Sequence, residues 1–201
     1  MKTQTYVANI ATEIITSEDG KNTFEIVKKI DANDFKGGKG MFICLYPTKN
    51  KENLYFDDST TLYLIERAFE LGFSEIHVCN IFSTVTSGRM SAKGLKPDKA
   101  NLDYLKSVFK RKDFGEYTTV IAWGGSLESS VATNESKKEI LQSFYSAQPK
   151  GKLYQMVCPE KAIFSETLHP LFLGLRCKGA KLELIEYKDS KYLKSPESEN
   201  V

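Results

Sequence analysis

The chain opens with two runs rich in β-branched and aromatic residues, 6–15 and 23–30, separated by a polar segment that contains Asp19-Gly20. Glycine after aspartate favours a hairpin turn, because glycine accepts a positive φ without a Cβ clash. Further along, residues 41–45 form a continuous apolar run. Continuous rather than alternating hydrophobicity is typical of a strand that is buried on both faces of a parallel sheet.

Predicted strands and helices alternate along the rest of the chain. Short apolar runs predict strands at 75–79, 118–122, 153–157 and 181–187. Apolar residues at helical spacing predict a helix over 58–71, capped by Asp58 or Ser59, and a second helix that Pro97 opens. A third helix is predicted to start at Ser136, where Glu139 completes a capping-box pattern. Residues 162–176 are predicted to form an irregular loop.

This alternation predicts an α/β fold with three layers, α/β/α, and a short, mainly four-stranded parallel sheet, preceded by an N-terminal β-hairpin. The length of 201 residues suits one domain, which we assign to residues 1–187, with the hairpin at 1–31. Residues 188–201 are polar and form a C-terminal tail in this prediction.

Composition and charge narrow the functional classes only slightly. The net charge of +2 permits a local groove for nucleic acid without requiring one. The four cysteines show no closely spaced pairs, so structural zinc is not predicted. No cofactor is predicted, and a metal-dependent reaction of the Asp57-Asp58 pair is left as a minor alternative. No apolar stretch approaches the ~20 residues that cross a bilayer, and the N-terminus lacks the apolar core of a signal peptide. We therefore expect a cytoplasmic protein without a membrane partner.

The candidate site follows from the predicted sheet. Ligands of open α/β sheets bind beyond the carboxyl ends of the strands, so the segments that follow each strand are the relevant ones. The candidate residues in these segments are Tyr46, Pro47, Thr48, Asp57, Asp58, Thr60, Asn80, Phe82, Trp123, Gly124, Gly125, Ser126 and His169.

Each candidate also has a purely structural interpretation. Asp58 suits a helix cap, and Trp123 suits the core or its rim. The segment Gly124-Gly125-Ser126 could form a nest of backbone N–H groups for phosphate or only a tight turn. His169 lies in a predicted loop, where it could exchange a proton or simply occupy a turn before proline.

Five short motifs in this order resemble the bacterial family called domain of unknown function 1643, over residues 41–176. They are Leu45-Tyr46-Pro47-Thr48, Asp57-Asp58-Ser59-Thr60, Asn80-Ile81-Phe82, Ala122-Trp123-Gly124 and His169-Pro170-Leu171. More distantly, the layout is similar to the uracil-DNA glycosylase superfamily, which implies a glycosylase-like fold around a base-sized pocket. That resemblance implies pocket-bordering roles for Pro47, Asn80, Trp123, Gly124 and His169.

One departure from the glycosylase pattern bears on the chemistry. In that superfamily the first motif positions the water and the histidine stabilises the departing base, but Tyr46 stands where Asp or Asn is expected. A phenol with an ordinary pKa of ~10 is a poor activator of water. Asp57 or Asp58 could supply the missing carboxylate, and Tyr46 could instead stack on a base, which is worth ~1–3 kcal/mol.

Three functions follow from these patterns. The first is binding of a nucleobase, nucleotide or DNA, with Tyr46, Phe56, Phe82 and Trp123 as aromatic contacts and the basic segments 106–112 and 176–181 near phosphates. The second is an N-glycosylase-like hydrolase that uses Asp57 or Asp58 together with His169. The third is a protein–protein accessory module in DNA metabolism. The missing carboxylate favours the first, with DNA or a nucleotide as the expected partner and a protein partner left open.

Overall fold

The computed structural model describes residues 3–48, 53, 55–86, 88–161, 167–188 and 191–192. Strands and helices alternate through most of this part of the chain. In order they are β1 (Ala8–Thr16), β2 (Thr23–Ala32), β3 (Gly38–Cys44), α1 (Ser59–Arg67), β4 (Phe73–Asn80), α2 (Lys99–Phe109), β5 (Tyr117–Ile121), α3 (Val131–Ala147), β6 (Leu153–Val157), α4 (Leu171–Leu175) and β7 (Glu183–Glu186).

All seven strands belong to one mixed sheet with the order β1-β2-β4-β3-β5-β6-β7. The central strands β4, β3, β5 and β6 pair in parallel. The pairs β1–β2, β2–β4 and β6–β7 are antiparallel. The α/β class and the N-terminal hairpin are confirmed, but the sheet is larger and more mixed than the predicted short, mainly four-stranded parallel sheet. The hairpin extends the sheet because β2 pairs with β4, a contact that local sequence does not encode.

Helices cover both faces of the sheet, and β3 shows why its sequence is apolar throughout. Met41 and Ile43 pack with α2 and α3, whereas Phe42 and Cys44 pack with α1 and α4. All four residues are fully buried. Because successive side chains of a strand point to opposite faces, a strand with helices on both sides needs apolar residues at every position.

The hairpin turn and the first two helix starts agree with the sequence patterns. Gly20 has φ +67° in the turn between β1 and β2. Asp58 caps α1, since its Oδ1 accepts a hydrogen bond from the Thr61 N–H at 2.8 Å. Asp98 caps α2 one residue after Pro97.

The other two helices differ from prediction. The helix α3 begins after Ser130, whose hydroxyl accepts from the Thr133 N–H, so the predicted start at Ser136 was wrong. Ser136 is fully buried inside the helix, and Glu139 forms an ion pair with Lys106 of α2 at 2.6 Å instead of a capping box. The short helix α4 lies within the predicted irregular loop, of which residues 162–166 fall outside the described residues.

The end of the chain contributes to the core. Tyr192, predicted to lie in a polar tail, is only 7% exposed and packs edge-on against Trp123, with ring centroids 6.4 Å apart. Most of the predicted tail, residues 189–190 and 193–201, lies outside the described residues. Among the helices that the structure describes, none has the length and apolar character to span a bilayer.

Candidate functional site

A cavity of about 160 Å³ lies at the carboxyl ends of the central parallel strands. The segment after β3, the first residues of α1, the loop after β5 and the segment that enters α4 all contribute to it. The lining residues are Leu45, Tyr46, Thr48, Ser59, Thr60, Ser126, His169, Leu171 and Phe172. The cavity therefore occupies the edge of the sheet at which parallel α/β folds bind ligands.

His169 is the titratable side chain in this cavity with the clearest perturbation. Burial lowers the pKa of His169 to about 4, although the nearby Asp58 charge acts in the opposite direction. The backbone N–H of Leu171 donates to His169 Nδ1 at 3.2 Å. Because Nδ1 accepts this bond, the neutral ring carries its proton on Nε2. At neutral pH the cavity therefore contains an uncharged imidazole with one N–H donor.

Gly124 packs directly against His169. Its φ is +65°, and a Cβ atom at this position would lie 2.9 Å from the His169 Cβ. The Gly124 N–H donates to the hydroxyl of Thr167 at 2.9 Å, which joins the loop after β5 to the segment that carries the histidine. A side chain at residue 124 would displace the imidazole, so glycine is required here for close approach as well as for backbone conformation.

The same loop contains a second left-handed residue. Leu127 has φ 63°, a conformation that costs a branched side chain on the order of 1–3 kcal/mol. Its neighbour Ser126 lines the cavity. Residues in sparsely populated backbone conformations cluster at ligand sites, because the surrounding structure is used there to hold a particular shape.

Asp58 organises the rim of the cavity without lining it. Its Oδ1 caps α1, and its Oδ2 accepts from the Thr48 hydroxyl at 3.0 Å and from the Thr48 N–H at 3.3 Å. Both carboxylate oxygens are thus engaged, Oδ1 with the first turn of α1 and Oδ2 with the segment after β3. Thr48, which Asp58 holds, and Thr60, in the first turn of α1, both line the cavity.

Asp57 faces the N-terminal hairpin. Its Oδ2 lies 2.6 Å from the Nζ of Lys28 on β2, and the Lys28 side chain is only 3% exposed. Lys28 also donates to the hydroxyl of Thr12 on β1. The ion pair therefore connects the site loop to the hairpin, and Asp57 is not among the residues that line the cavity.

Aromatic side chains flank the cavity. The hydroxyl of Tyr46 accepts from the backbone N–H of Met90 at 3.4 Å. The guanidinium carbon of Arg176 lies 4.6 Å from the centre of the Phe172 ring, and Arg176 is exposed. A cation stacked on an aromatic ring of the lining places positive charge next to the cavity.

Several predicted site residues lie elsewhere. Trp123 is fully buried in the core between the sheet and α3, where Lys137 Nζ lies 5.2 Å from its ring centre. Asn80 and Phe82 are buried, and the carbonyl of Asn80 accepts from the Asn101 side chain. Pro47 and Gly125 flank lining residues but are not part of the lining themselves.

The basic segments and the remaining aromatic candidate do not converge on the cavity. Lys106 pairs with Glu139, and Arg111 pairs with the buried Glu25 at 2.7 Å. Phe56 is 61% exposed and is not among the lining residues. In segment 176–181, Arg176 is the residue whose described contact reaches a lining side chain.

Four lining residues were not among the sequence candidates. Ser59 lies between Asp58 and Thr60, so the helix-start pattern already contained the signal for it. Leu45 is the last residue of the predicted strand. Leu171 and Phe172 belong to α4, which lies in a segment that is predicted to be a loop, and apolar character alone does not distinguish lining from core.

Comparison with known proteins identifies a family and goes no further. No curated protein matches the chain, and no solved structure matches it. A family model does match, over residues 26–171, which include the segment of β2 that carries Lys28 as well as the five motifs. The chain therefore belongs to the family described as protein of unknown function (DUF1643).

Proposed function

We propose that this protein binds a nucleobase, carried by a nucleotide or by DNA, in the cavity at the strand ends. The observation that carries the proposal is the neutral imidazole of His169, with its proton on Nε2, in a cavity of about 160 Å³. An engineered protein cavity of ~150 Å³ accommodates benzene, so this volume suits a single six-membered ring. The proposal includes a scaffold similar to that of the uracil-DNA glycosylases.

The residues that line the cavity suit a ligand ring that has both an apolar face and polar edges. Tyr46 and Phe172 provide aromatic surface, and the hydroxyls of Thr48, Thr60 and Ser126 can donate or accept hydrogen bonds. Ligand sites commonly combine apolar walls with a few convergent polar groups in this way. The Nε2–H of His169 suits a carbonyl oxygen, a group that several nucleobases carry on the ring.

Charge near the cavity supports a ligand that carries phosphate. Arg176 lies against Phe172, whereas the net charge of the chain is only +2. A nucleotide or a short stretch of DNA that contacts this local charge would bind with a dependence on salt, because phosphate contacts release counterions. We place this activity in the cytoplasm, which agrees with four cysteines that are free and buried.

We propose binding rather than hydrolysis of a glycosidic bond. Water activation requires a carboxylate within hydrogen-bond reach of the attacking water. None of the described lining residues is acidic, Asp57 is paired with Lys28, and both oxygens of Asp58 hold backbone or hydroxyl groups. Tyr46 lines the cavity at the position where the glycosylase pattern has Asp or Asn.

Fluorescence anisotropy tests this proposal with labelled single- and double-stranded oligonucleotides, with and without uracil, at two salt concentrations. Free nucleosides and nucleotides are titrated by calorimetry in parallel. We expect the phosphate-bearing ligands to bind more weakly at the higher salt concentration. The substitution His169→Ala should reduce the binding affinity at least tenfold. The matched control is Leu175→Ala, because Leu175 is an exposed residue of α4 that does not line the cavity. This variant should bind the same ligands with the affinity of the wild-type protein.

Alkali treatment of the same oligonucleotides reveals abasic sites. Uracil-dependent strand scission would contradict the binding-only proposal and would assign the protein to the hydrolases despite Tyr46. Absence of both binding and scission, for oligonucleotides and free nucleotides alike, would overturn the nucleobase proposal and leave the accessory protein–protein module as the function to test.

A further inference from the structure

The two outer edges of the sheet differ in how they are protected. The strand β7 is four residues long and carries Glu183 and Glu186, which pair with Lys181 at 3.1 Å and Lys152 at 3.4 Å. Short, charged edge strands are a common protection against pairing with another chain, because a new strand would have to accommodate the charges. This edge therefore ends the sheet.

The opposite edge lacks these features. The strand β1 has nine residues, of which only Glu13 is charged, and it contains no proline. It pairs with β2 on one side and has no neighbour among the described strands on the other. Ile10 in this strand is 49% exposed, and Tyr6 and Val7, which directly precede the strand, are 71% and 56% exposed. A long edge strand with apolar residues and little charge is a template for another strand.

We propose that β1 pairs with β1 of a second copy of this chain, antiparallel and centred on Ile10, so that two sheets join into one. A twofold axis at Ile10 places Ile10 opposite itself, and when the pairing extends to the residues just before β1 it places Tyr6 opposite Ile14 of the second copy. Side chains of alternating residues share a face, so Tyr6, Ile10 and Ile14 lie on the same face, with Ala8 and Thr12 between them. On β2 the same face carries Ile30 and Ile26, which pair with Ile10 and Ile14.

The other face of the strand is compatible with the same centre. Glu13 then lies opposite Val7 of the second copy, so the two carboxylates do not meet. Like charges directly opposite one another destabilise a strand pair, whereas aromatic and β-branched pairs stabilise it.

Other centres pair the residues less well. A centre at Ala11 would place Ile10 opposite Thr12, and a centre at Glu13 would bring the two carboxylates face to face. A centre at Thr12 would pair β1 over its full length, with Ile10 opposite Ile14, but it would leave the more exposed Tyr6 and Val7 outside the paired strands. Coverage of Tyr6, Val7 and Ile10 together therefore favours the centre at Ile10 over the other centres.

Sedimentation equilibrium and light scattering test the assembly. We expect the wild-type chain to have twice its mass of 22.7 kDa at micromolar concentrations. Ile10→Lys places two ammonium groups opposite each other across the axis and should give a monomer with an unchanged circular dichroism spectrum. The matched control is Ile185→Lys on β7, which is 42% exposed and should leave the dimer intact.

Engineered cysteines test the register. Residues opposite each other in antiparallel strands have Cα atoms ~4.5–5.5 Å apart, within reach of a disulfide. Under diamide, two Ile10→Cys chains should each lose one thiol hydrogen to form an intermolecular disulfide, while the diazene is reduced to the hydrazine. Asn9→Cys is the control, because its two copies lie on a diagonal of ~7–8 Å, near or beyond the limit for a disulfide. The native cysteines are at most 2% exposed.

The proposal is overturned by three results. A wild-type chain that stays monomeric up to 100 µM excludes self-pairing and assigns the edge to a strand of a different protein or to none. A dimer that Ile185→Lys disrupts and Ile10→Lys leaves intact would form through β7 rather than β1 and would contradict the proposal. Faster cross-linking of Asn9→Cys than of Ile10→Cys would contradict the register.

Discussion

A Cβ atom at Gly124 would lie 2.9 Å from the Cβ of His169, so the loop after β5 approaches the segment before α4 closely at the cavity. The hydrogen bond from the Gly124 N–H to Thr167 secures the same contact from the other side. The position of the imidazole thus depends on a residue that has no side chain.

Gly124→Ala should destabilise the protein and disturb the site together. The substitution forces a Cβ into a left-handed conformation and against His169, so we expect the free energy of unfolding to fall by about 1–3 kcal/mol. Urea denaturation measures this loss. Gly115→Ala is the control, since nothing lies within 4 Å of its Cβ position and its φ is not positive, and its effect should stay within ~0.5 kcal/mol. Equal effects of the two substitutions would contradict the proposed contact.

Lys28→Met should be strongly destabilising because it leaves Asp57 as an uncompensated, largely buried charge. Removing one partner of a buried ion pair typically costs about 3–5 kcal/mol. The adjacent Lys29 pairs with Glu13 but is 47% exposed, so Lys29→Met should cost less than ~1 kcal/mol. Denaturant unfolding of the two variants provides the comparison.

A second variant distinguishes loss of charge pairing from loss of packing at the same place. Combining Lys28→Met with Asp57→Asn removes the stranded charge and should recover a substantial part of the stability. If the double variant is no more stable than Lys28→Met alone, the ion pair is not the source of the effect.

Protonation of Glu25 should lower the free energy of unfolding of the protein in acid. Burial alone would raise the pKa of Glu25, but hydrogen bonds from His77, Arg111 and Tyr104 together hold it at about 2. Since the folded-state pKa lies below the ordinary value of 4.5, this stabilisation is complete above about pH 4.5 and is lost as the pH falls towards 2. Unfolding free energies measured across this range should decline, and the decline should be shallower in Glu25→Gln. An unchanged slope would contradict the prediction.

His169 should remain neutral well below the usual range of histidine. Its pKa of about 4, against an ordinary value of 6.5, means that the unfolded chain binds a proton first as the pH falls. The contribution of this residue to stability is therefore present above pH 6.5 and declines as the pH falls towards 4. Nitrogen-15 NMR should show a neutral ring protonated on Nε2 at pH 6, with His169→Gln identifying its signals. A charged ring, or a proton on Nδ1, at that pH would contradict the geometry.

Local patterns were sufficient for much of the fold. The run at Met41 to Leu45, the Asp19-Gly20 turn and a cap at Asp58 or Ser59 each depend on neighbours in the chain and were predicted, and the structure has Asp58 as the cap. The same local logic located the candidate site, because parallel strands place their carboxyl ends at one edge. Tyr46, Thr48, Thr60, Ser126 and His169 were candidates and line the cavity.

The remaining features depend on contacts between residues far apart in the chain. The pairing of β2 with β4, the ion pair of Lys28 with Asp57 and the packing of Trp123 against Tyr192 join segments whose sequences do not identify their partners. Sequence alone does not show whether an apolar side chain will face the cavity or the core. In the folded protein Phe172 lines the cavity, whereas Trp123 is buried in the core. The presence of most strands and helices and their order along the chain follow from local periodicity, whereas the pairing of the strands and the composition of the cavity follow from packing across the sheet.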